Sequence, residues 1–384
     1  MLNFFEKLEP FFETVIIQDK LIDAPCNEEI DFSEKIKKYS RFSEHSLNLN
    51  SYLTLVIPSY FLNIVLSKQK QIYLILGNEN QAYSYFHKKF NKIYKIVNVN
   101  VRKCFEGFIL AFNSETDYEI GIYNICTEQR LFHYELMLWF YNDKKSYISN
   151  IKKVIYDSIY YKQIIDLIPN DISVSNCLIG YNNKFNKILK AKFTNDDLEC
   201  ISYEDDYISY NYFPKINFIS FGHAFGWISS YLVEYLITKE CYNYFYFGNC
   251  GAIGAKLKVG DIAYPNQILK LSEENNEKIY NQPFINLFQN VNEQIFHVSV
   301  DSPIVETKNM IDYLRFSKFD TIDVELFDIV SKINNSKYAN LSASLIVSDI
   351  PSSIKENKAM VINKKHFENK LNIELNKIGN EINF

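Results

Sequence analysis

The sequence predicts an α/β protein, with a C-terminal three-layer α/β/α domain around a mixed central sheet and a smaller mixed α/β domain before it. The chain has 384 residues, which suggests two domains. Beyond residue 170, short apolar runs of strand type alternate with amphipathic segments of helical period. Between the two halves, "PND" (169–171) interrupts the pattern, so we place the domains at 1–168 and 169–384.

The strands predicted for the C-terminal half are apolar or β-branched runs: "ISVSNCLIG" (172–180), "KINFISFG" (215–222), "YNYFYFG" (242–248) and "SASLIVSD" (342–349). The predicted helices have apolar residues at helical spacing: "KFNKILKAKF" (184–193), "ISSYLVEYLITKE" (228–240), "KNMIDYLRFSK" (308–318), "DVELFDIVSKI" (323–333) and a last helix with Phe367, Leu371, Leu375 and Ile378 on one face. Sites in such sheets form where strands end. We therefore expect functional residues in four loops, Gly180–Lys184, Gly222–Trp227, Gly248–Gly254 and Ser348–Ser353.

The first half is also mixed in pattern. "QIYLILGN" (71–78) and "FEGFILAF" (105–112) predict strands, and "EQRLFHYELMLWFY" (128–141) predicts a helix. A second helix is predicted over 146–168, where Ile148, Ile151, Ile155 and Ile159 share a face. No combination of residues in this half suggests catalysis.

Composition excludes several classes of function. The net charge of -5 and pI near 5.8 argue against a nucleic-acid partner. The seven cysteines form no CxxC pair, which favours reduced thiols over disulfides or a zinc site. The longest apolar run (52–66) is too short to span a bilayer, and the N-terminus lacks the pattern of a signal peptide. We therefore expect a cytoplasmic protein with no membrane partner, metal or cofactor.

The glycines of the chain concentrate in "YFGNCGAIGAKLKVGDIAYPNQI" (246–268), which holds Gly248, Gly251, Gly254 and Gly260 out of 11 in total. A Cβ at such positions would block the close approach of backbone to a ligand. The same spacing also fits a tight strand-to-loop turn that binds nothing. Spacing alone therefore leaves both interpretations open.

The residues around these glycines add a family resemblance. "GNCGAIGAKLKVGDIAYP" (248–265) resembles the glycine segment of the nucleoside phosphorylase superfamily, which includes purine nucleoside and uridine phosphorylases, methylthioadenosine/S-adenosylhomocysteine nucleosidases and AMP nucleosidase. Further segments resemble the family in the same order: "VSNCLIGYNNKFNKI" (174–188), "ISFGHAFGWISSYLVEYLI" (219–237), "VSVDSPIVET" (298–307), "DTIDVELFDI" (320–329) and "SLIVSDIP" (344–351). The resemblance covers about 172–384. It implies a nucleoside-phosphorylase-like fold that cleaves the N-glycosidic bond of a small-molecule nucleoside or nucleotide.

The resemblance also implies roles for two acidic residues. Asp349 falls on the acid that protonates or hydrogen-bonds N7 of a purine, and Glu325 falls on the carboxylate that holds the ribose hydroxyls. Protonation of the base stabilises the leaving group, and a carboxylate at the sugar hydroxyls stabilises the cationic sugar. Without the resemblance, Asp349 also fits a helix N-cap and Glu325 a partner of a helix dipole.

The remaining implied site residues surround these two acids. The substrate-binding set comprises Phe225, Asn249, Gly251, Ile322, Val324 and Ser348. The loop that grips phosphate in phosphorylases corresponds to Gly180 and Lys184. His223 is the nearest candidate to act as the base.

The chain departs from the family pattern at the nucleophile. Phosphorylase arginines are replaced by Tyr246 and Lys184, and an arginine of the nucleosidases becomes Leu345. The glutamate that activates water in the hydrolases is absent from "GYNNK" (180–184). Hydrolysis is therefore favoured over phosphorolysis, although the residues that would bind phosphate and those that would activate water are both incomplete. The alternatives are a phosphate-dependent phosphorylase, a catalytically silent nucleoside-binding module, or an interaction protein with its partner surface in 1–168. Relatives assemble as oligomers, so we expect a homo-oligomer.

Overall fold

The structure is a computed structural model, and it describes residues 12–14, 26–29, 71–77, 79–96, 107–112, 118–123, 151–156, 165–193, 198–204, 208–222, 227–271, 282–283, 294–300, 306, 308–351 and 364–382. The chain divides into two compact units, and the division along the chain falls between Gln163 and Ile164. The boundary predicted at 168/169, with its separate domain roles, stays a prediction. Each unit contains its own sheet.

The first unit contains a seven-stranded sheet and one described helix, α1 (Glu79–His87). Its strands are β1 (Phe12–Thr14), β2 (Cys26–Glu29), β3 (Ile72–Leu76), β4 (Lys92–Ile96), β5 (Gly107–Phe112), β6 (Tyr118–Tyr123) and β7 (Ile151–Tyr156). Their spatial order is β1-β4-β5-β6-β3-β7-β2, with β3 parallel to both of its neighbours. Apolar residues of α1, among them Phe86, pack on Tyr73 and Ile75 of β3 to form the core.

One prediction for this unit is wrong. The helix predicted over 146–168 is contradicted by strand β7, which pairs with β3 on one side and β2 on the other. Its β-branched residues Ile151 and Val154 are buried, as expected of an internal strand. Isoleucines at the spacing of a helix therefore mark a strand here, because pairing with two neighbours overrides local periodicity. The helix predicted over 128–141 and the apolar run 52–66 lie outside the described residues.

The second unit contains an eleven-stranded mixed sheet. Its strands are β8 (Asn176–Ile179), β9 (Ile201–Glu204), β10 (Ser209–Phe213), β11 (Phe218–Phe221), β12 (Asn243–Ala252), β13 (Ile262–Ala263), β14 (Gln267–Leu271), β15 (Gln282–Pro283), β16 (Phe296–Val300), β17 (Thr321–Asp323) and β18 (Asn340–Asp349). The main order is β15-β14-β16-β17-β12-β8-β11-β10-β9. Strand β18 pairs in parallel with β12, and β13 pairs with β18.

Helices cover both faces of this sheet. They are α2 (Asn182–Lys192), α3 (Trp227–Thr238), α4 (Lys308–Phe316), α5 (Leu326–Asn334) and α6 (Lys364–Glu381). On one face, Phe245 and Phe247 of β12 pack in a core with apolar residues of α2 and α6. On the other face, the hydroxyl of Tyr244 donates to Val233 O of α3. Successive side chains of β12 therefore contact helices on opposite faces of the sheet. This confirms the predicted three-layer α/β/α arrangement.

The predicted strands and helices of this unit are present, with bounds that differ by a few residues: β8 and β11 are shorter than predicted, whereas β12 and β18 are longer. Helix α5 begins at Leu326 rather than at the predicted Asp323, because Asp323 ends β17. The hairpin of β9 and β10 was not predicted, since its alternation of tyrosines with polar residues is irregular. Among the described cysteines, Cys177, Cys200, Cys241 and Cys250 are free thiols. In the part of the chain described here, no helix has both the length and the apolarity to cross a membrane.

The core between β12, α2 and α6 generates a stability prediction. Phe185 of α2 is fully buried, with its ring 5.4 Å from that of Phe218. We expect Phe185→Ala to lower the free energy of unfolding by about 3–5 kcal/mol, since it removes buried area and leaves a cavity. Phe316→Ala is the matched control, because Phe316 is 87% exposed. Thermal unfolding followed by circular dichroism compares the two, and equal shifts would contradict the packing described.

Candidate active site

The candidate site lies where β12 changes partners along one edge. That edge pairs with β8 over Asn243–Tyr246 and with β17 at Gly251 and Ala252. Between these two stretches, residues 247–250 pair with no described strand on that edge. The sheet therefore has a gap beside Gly248 and Asn249, between the end of β8 and the end of β17.

The β8 side of the gap is a tight turn. Gly180 has φ of 107°, and a Cβ there would collide with the carbonyl oxygen of Phe247. Tyr181 follows with φ of 53°, also in the left-handed region. Its hydroxyl donates to Oδ1 of Asn249 at 2.6 Å, and its ring lies 5.1 Å from that of Phe247. The turn therefore directs Tyr181 across to β12.

Asp349 lies on the opposite edge of β12. A shift of register between Cys250 and Gly251 places Asp349 beside Gly251, whose other neighbour is Ile322 of β17. The Ser348 hydroxyl lies 2.7 Å from Oδ1 of Asp349 and 3.2 Å from Cys250 O. Burial raises the pKa of Asp349 above its usual value, and the Ser348 hydrogen bond partly opposes that rise. The strand end thus presents a carboxyl that tends to keep its proton.

Glu325 lies on the β17 side of the gap, in the loop before α5. It occupies the N-cap position of α5 but makes no capping hydrogen bond with its side chain. Asp323 supplies that bond instead, since its Oδ2 accepts from Leu326 N at 3.1 Å and its Oδ1 lies 3.3 Å from Glu325 N. Asp323 rather than Glu325 therefore caps α5, and Oε2 of Glu325 lies 3.4 Å from Val324 N.

A buried polar network fixes Asp323 in turn. Its Oδ1 accepts from the Ser299 hydroxyl at 2.6 Å and from Nε2 of His297 at 2.9 Å. Nδ1 of His297 lies 2.8 Å from the Thr321 hydroxyl. His297 and Thr321 are fully buried, and Asp323 and Ser299 nearly so. Because each polar group in this network has a partner, the network holds the backbone at Glu325 rigidly.

Two more buried groups, Glu306 and Tyr246, interact electrostatically with the acidic residues of the site. Burial raises the pKa of Glu306 well above its usual value, and the carboxylates of Asp349 and Asp323 raise it further. Burial also raises the pKa of the Tyr246 hydroxyl, with further contributions from Glu325 and Asp323. The acidic residues on both sides of β12 are therefore close enough to influence one another. Among the described residues, no cluster of three or more His, Cys, Asp or Glu is arranged to hold a metal ion.

The structure places most of the predicted site residues around this gap. Gly180 and Asn249 lie beside the turn after β8, whereas Gly251, Ile322, Val324, Glu325, Ser348 and Asp349 lie where β12, β17 and β18 meet. Lys184 instead lines a groove of about 590 Å³ between α2 and α6. His223 and Phe225 lie outside the described residues. The functional roles of all these residues stay predictions.

Sequence reasoning missed several residues that the fold brings to the site. Asp323 and Glu306 stand in the quoted segments "DTIDVELFDI" and "VSVDSPIVET", so their acidity was a visible signal. Tyr246 was noted only as a replacement for arginine. Tyr181 and His297 carried no signal, because each contributes through a partner from a distant part of the chain.

Comparisons with known proteins give likenesses of structure alone. No protein-family model and no curated protein matches the sequence. Similar solved structures include futalosine hydrolase of Helicobacter pylori (11% identity, 53% of this chain and 97% of that chain, TM-score 0.41). They include uridine phosphorylase from Vibrio fischeri (13% identity, 54% and 89%, TM-score 0.40). They also include 5′-methylthioadenosine/S-adenosylhomocysteine nucleosidase from Neisseria meningitidis (15% identity, 51% and 91%, TM-score 0.37). At such identities and scores, the likenesses assign no activity to this chain.

The raised pKa of Asp349 predicts how stability depends on pH. As pH rises above the ordinary value of about 3.9, this residue ionises in the unfolded chain before it ionises in the folded one, which lowers stability. Asp349→Asn removes that loss. We therefore expect the variant to melt at a higher temperature than the original chain at pH 7, with the difference vanishing near pH 4.

Asp312→Asn is the control for this experiment. The Asp312 carboxylate is about half exposed and pairs with Arg315 on the surface of α4, so its loss should change the melting temperature little. If Asp349→Asn were less stable than the original chain at pH 7, the burial of this carboxyl would be contradicted.

Proposed function

We propose that the second unit cleaves the N-glycosidic bond of a purine-type nucleoside, with water rather than phosphate as the nucleophile. The observation that carries the proposal is the pair of carboxyls about the gap. Asp349, with its raised pKa, lies at the end of β18, and Glu325 lies where β17 leads into α5. Both stand on segments that resemble the nucleoside phosphorylase superfamily.

Asp349 and Glu325 have separate roles in the proposed reaction. Cleavage of the bond places negative charge on the base and positive charge on the sugar. Asp349 donates its proton to the base, a role that its raised pKa favours. Glu325 accepts from the ribose hydroxyls and so stabilises the positive sugar. The His297–Asp323 network keeps the Glu325 backbone in place for that contact.

The rest of the proposed site provides shape and position. Ile322 is buried beside Gly251 and, with Val324 and Phe225, is proposed to line the base and ribose. Ser348 holds the Asp349 carboxyl by its hydrogen bond. His223 is proposed as a base near the sugar. We further propose that the protein is a cytoplasmic homo-oligomer, in keeping with the sequence resemblance and the free thiols.

Charge favours water as the nucleophile. Residues 164–384 contain a single arginine, Arg315, whose Nε donates to Ile253 O and whose Nη1 pairs with Asp312. A phosphate dianion in the gap would meet the carboxylates of Asp323 and Glu325 instead. Since repulsion between like charges in a buried site is costly, neutral water is the better reactant.

Base release tests the proposal directly. The full chain is incubated with purine nucleosides, their 5′-monophosphates and methylthioadenosine, with and without phosphate, and free base is followed by chromatography. We expect release that does not need phosphate. Asp349→Asn should lower the rate by about 10²–10⁴, the usual contribution of general-acid catalysis. Glu325→Gln should also slow release, because a neutral amide stabilises the sugar cation less well.

Glu234→Gln is the matched control, since Glu234 pairs with Lys332 on the surface of α3 and should not affect the rate. Ligand-induced thermal stabilisation without any base release would favour a silent binding module instead. Release that Asp349→Asn leaves unchanged would show that the role assigned to Asp349 is wrong.

A further inference from the structure

We propose that the groove between α2 and α6 is a docking site for an acidic peptide segment of a partner protein. The groove has a volume of about 590 Å³, and residues of these two helices line it. Docking here goes beyond the proposed function and does not depend on it, since neither Asp349 nor Glu325 lines the groove.

The wall of the groove that α2 provides is basic. Its residues follow the spacing i, i+3, i+4 and i+7, which places them on one face of the helix, and they are Lys184, Lys187, Ile188 and Ala191. Lys192 also lines the groove and is the last residue of the helix. Helix α2 contains no acidic residue, and none of these three lysines pairs with a carboxylate among the described residues. Their positive charge is therefore open to a ligand.

The wall that α6 provides consists of one acid and two amides. Glu368, Asn372 and Asn376 are spaced four residues apart, so they lie on one face of the helix. Nδ2 of Asn376 donates to Asn372 O at 2.8 Å, while Oδ1 of Asn376 has no hydrogen bond among the described residues. Side-chain amides can donate to and accept from a peptide backbone. With a single glutamate facing three lysines, the groove carries a net positive charge.

The core beneath the groove fixes its two walls. Phe185 of α2 packs in one cluster with Leu371 and Leu375 of α6, and all three are buried. Nζ of Lys192 donates to Gly379 O at 3.1 Å, which joins the ends of the two helices. That acceptor is neutral, so it does not compensate the charge of Lys192. The groove is therefore formed before a ligand binds, which lowers the entropic cost of docking.

Charge and length together indicate the occupant. The whole chain has a net charge of -5, so it repels an acidic partner in general and attracts it at this groove. Lys184 and Lys192 lie about 12 Å apart along the axis of α2, a distance that about four residues of extended peptide span. Ile188 and Ala191 offer apolar surface between these lysines. Lysines spread along a helix match carboxylates spread along a peptide, whereas a single phosphate is best matched by converging arginines.

Binding of a defined peptide tests the proposal. The full chain is titrated into a fluorescein-labelled decapeptide of alternating glutamate and alanine at physiological ionic strength, and fluorescence anisotropy gives the Kd. We expect this peptide to bind, and the same peptide with glutamine in place of glutamate not to bind. Lys187→Glu should raise the Kd by about tenfold or more, because it replaces an attraction inside the groove with a repulsion.

Lys190→Glu is the matched control for this charge reversal. Lys190 is an exposed residue of the same helix that does not line the groove, so its variant has the same net charge as Lys187→Glu. Salt screens charges outside the groove, so we expect this control to raise the Kd by less than about threefold. Ala191→Trp is a second test, since it fills the groove without a change in charge. Ala191 is exposed, so the larger side chain leaves the core intact, and the Kd should again rise about tenfold.

Several results would overturn the proposal. One is the absence of any binding of the glutamate peptide to the original chain. Another is an equal loss of affinity in Lys187→Glu and Lys190→Glu, which would show general attraction to a basic surface. Unchanged binding by Ala191→Trp would place the peptide elsewhere. Displacement of the peptide by an equimolar amount of tripolyphosphate would show that the groove takes a small anion instead.

Discussion

The exchange of partners along one edge of β12 is the constraint on which the site depends. A strand that paired with β8 over its whole length would leave no opening in the sheet. Because the pairing of β8 ends opposite Tyr246 and the pairing of β17 ends opposite Gly251, residues 247–250 have no described strand partner on that edge. On either side of these residues the chain turns away from β12. It does so at Gly180, which follows β8, and at Glu325, which follows β17.

Carboxyls are buried around this gap, and their burial raises the pKa of Glu306 and Asp349 at a cost in the stability of the fold. An ionised carboxyl away from water is unfavourable, which raises the pKa of both Glu306 and Asp349, and the neighbouring carboxylates of Asp349 and Asp323 raise that of Glu306 further. Asp323 tolerates the same surroundings because Ser299, His297 and backbone N–H groups donate to it. Asp323 is thus a buried hydrogen-bond acceptor with several donors, whereas burial raises the pKa of Glu306 and Asp349.

Local patterns were enough to predict the alternation of strands and helices in the second unit, since strands such as 218–221 and helices such as α5 bury a continuous face. They failed at β7, where pairing with two strands decides the structure, and at His297, whose partner lies 26 residues away along the chain. The motif around Asp349 and Glu325 identified acidic positions, but it held no information on Tyr181. Contacts across the sheet depend on register, and register is a property of the assembled strands.

Gly248 lies two residues after Tyr246 on the same face of β12, and any side chain added there would collide with the Tyr246 ring and hydroxyl. The two positions are therefore coupled. While a tyrosine stands at 246 in this position, a side chain at 248 would require its ring to move. The bare backbone at Gly248 is therefore a consequence of how the buried Tyr246 side chain packs.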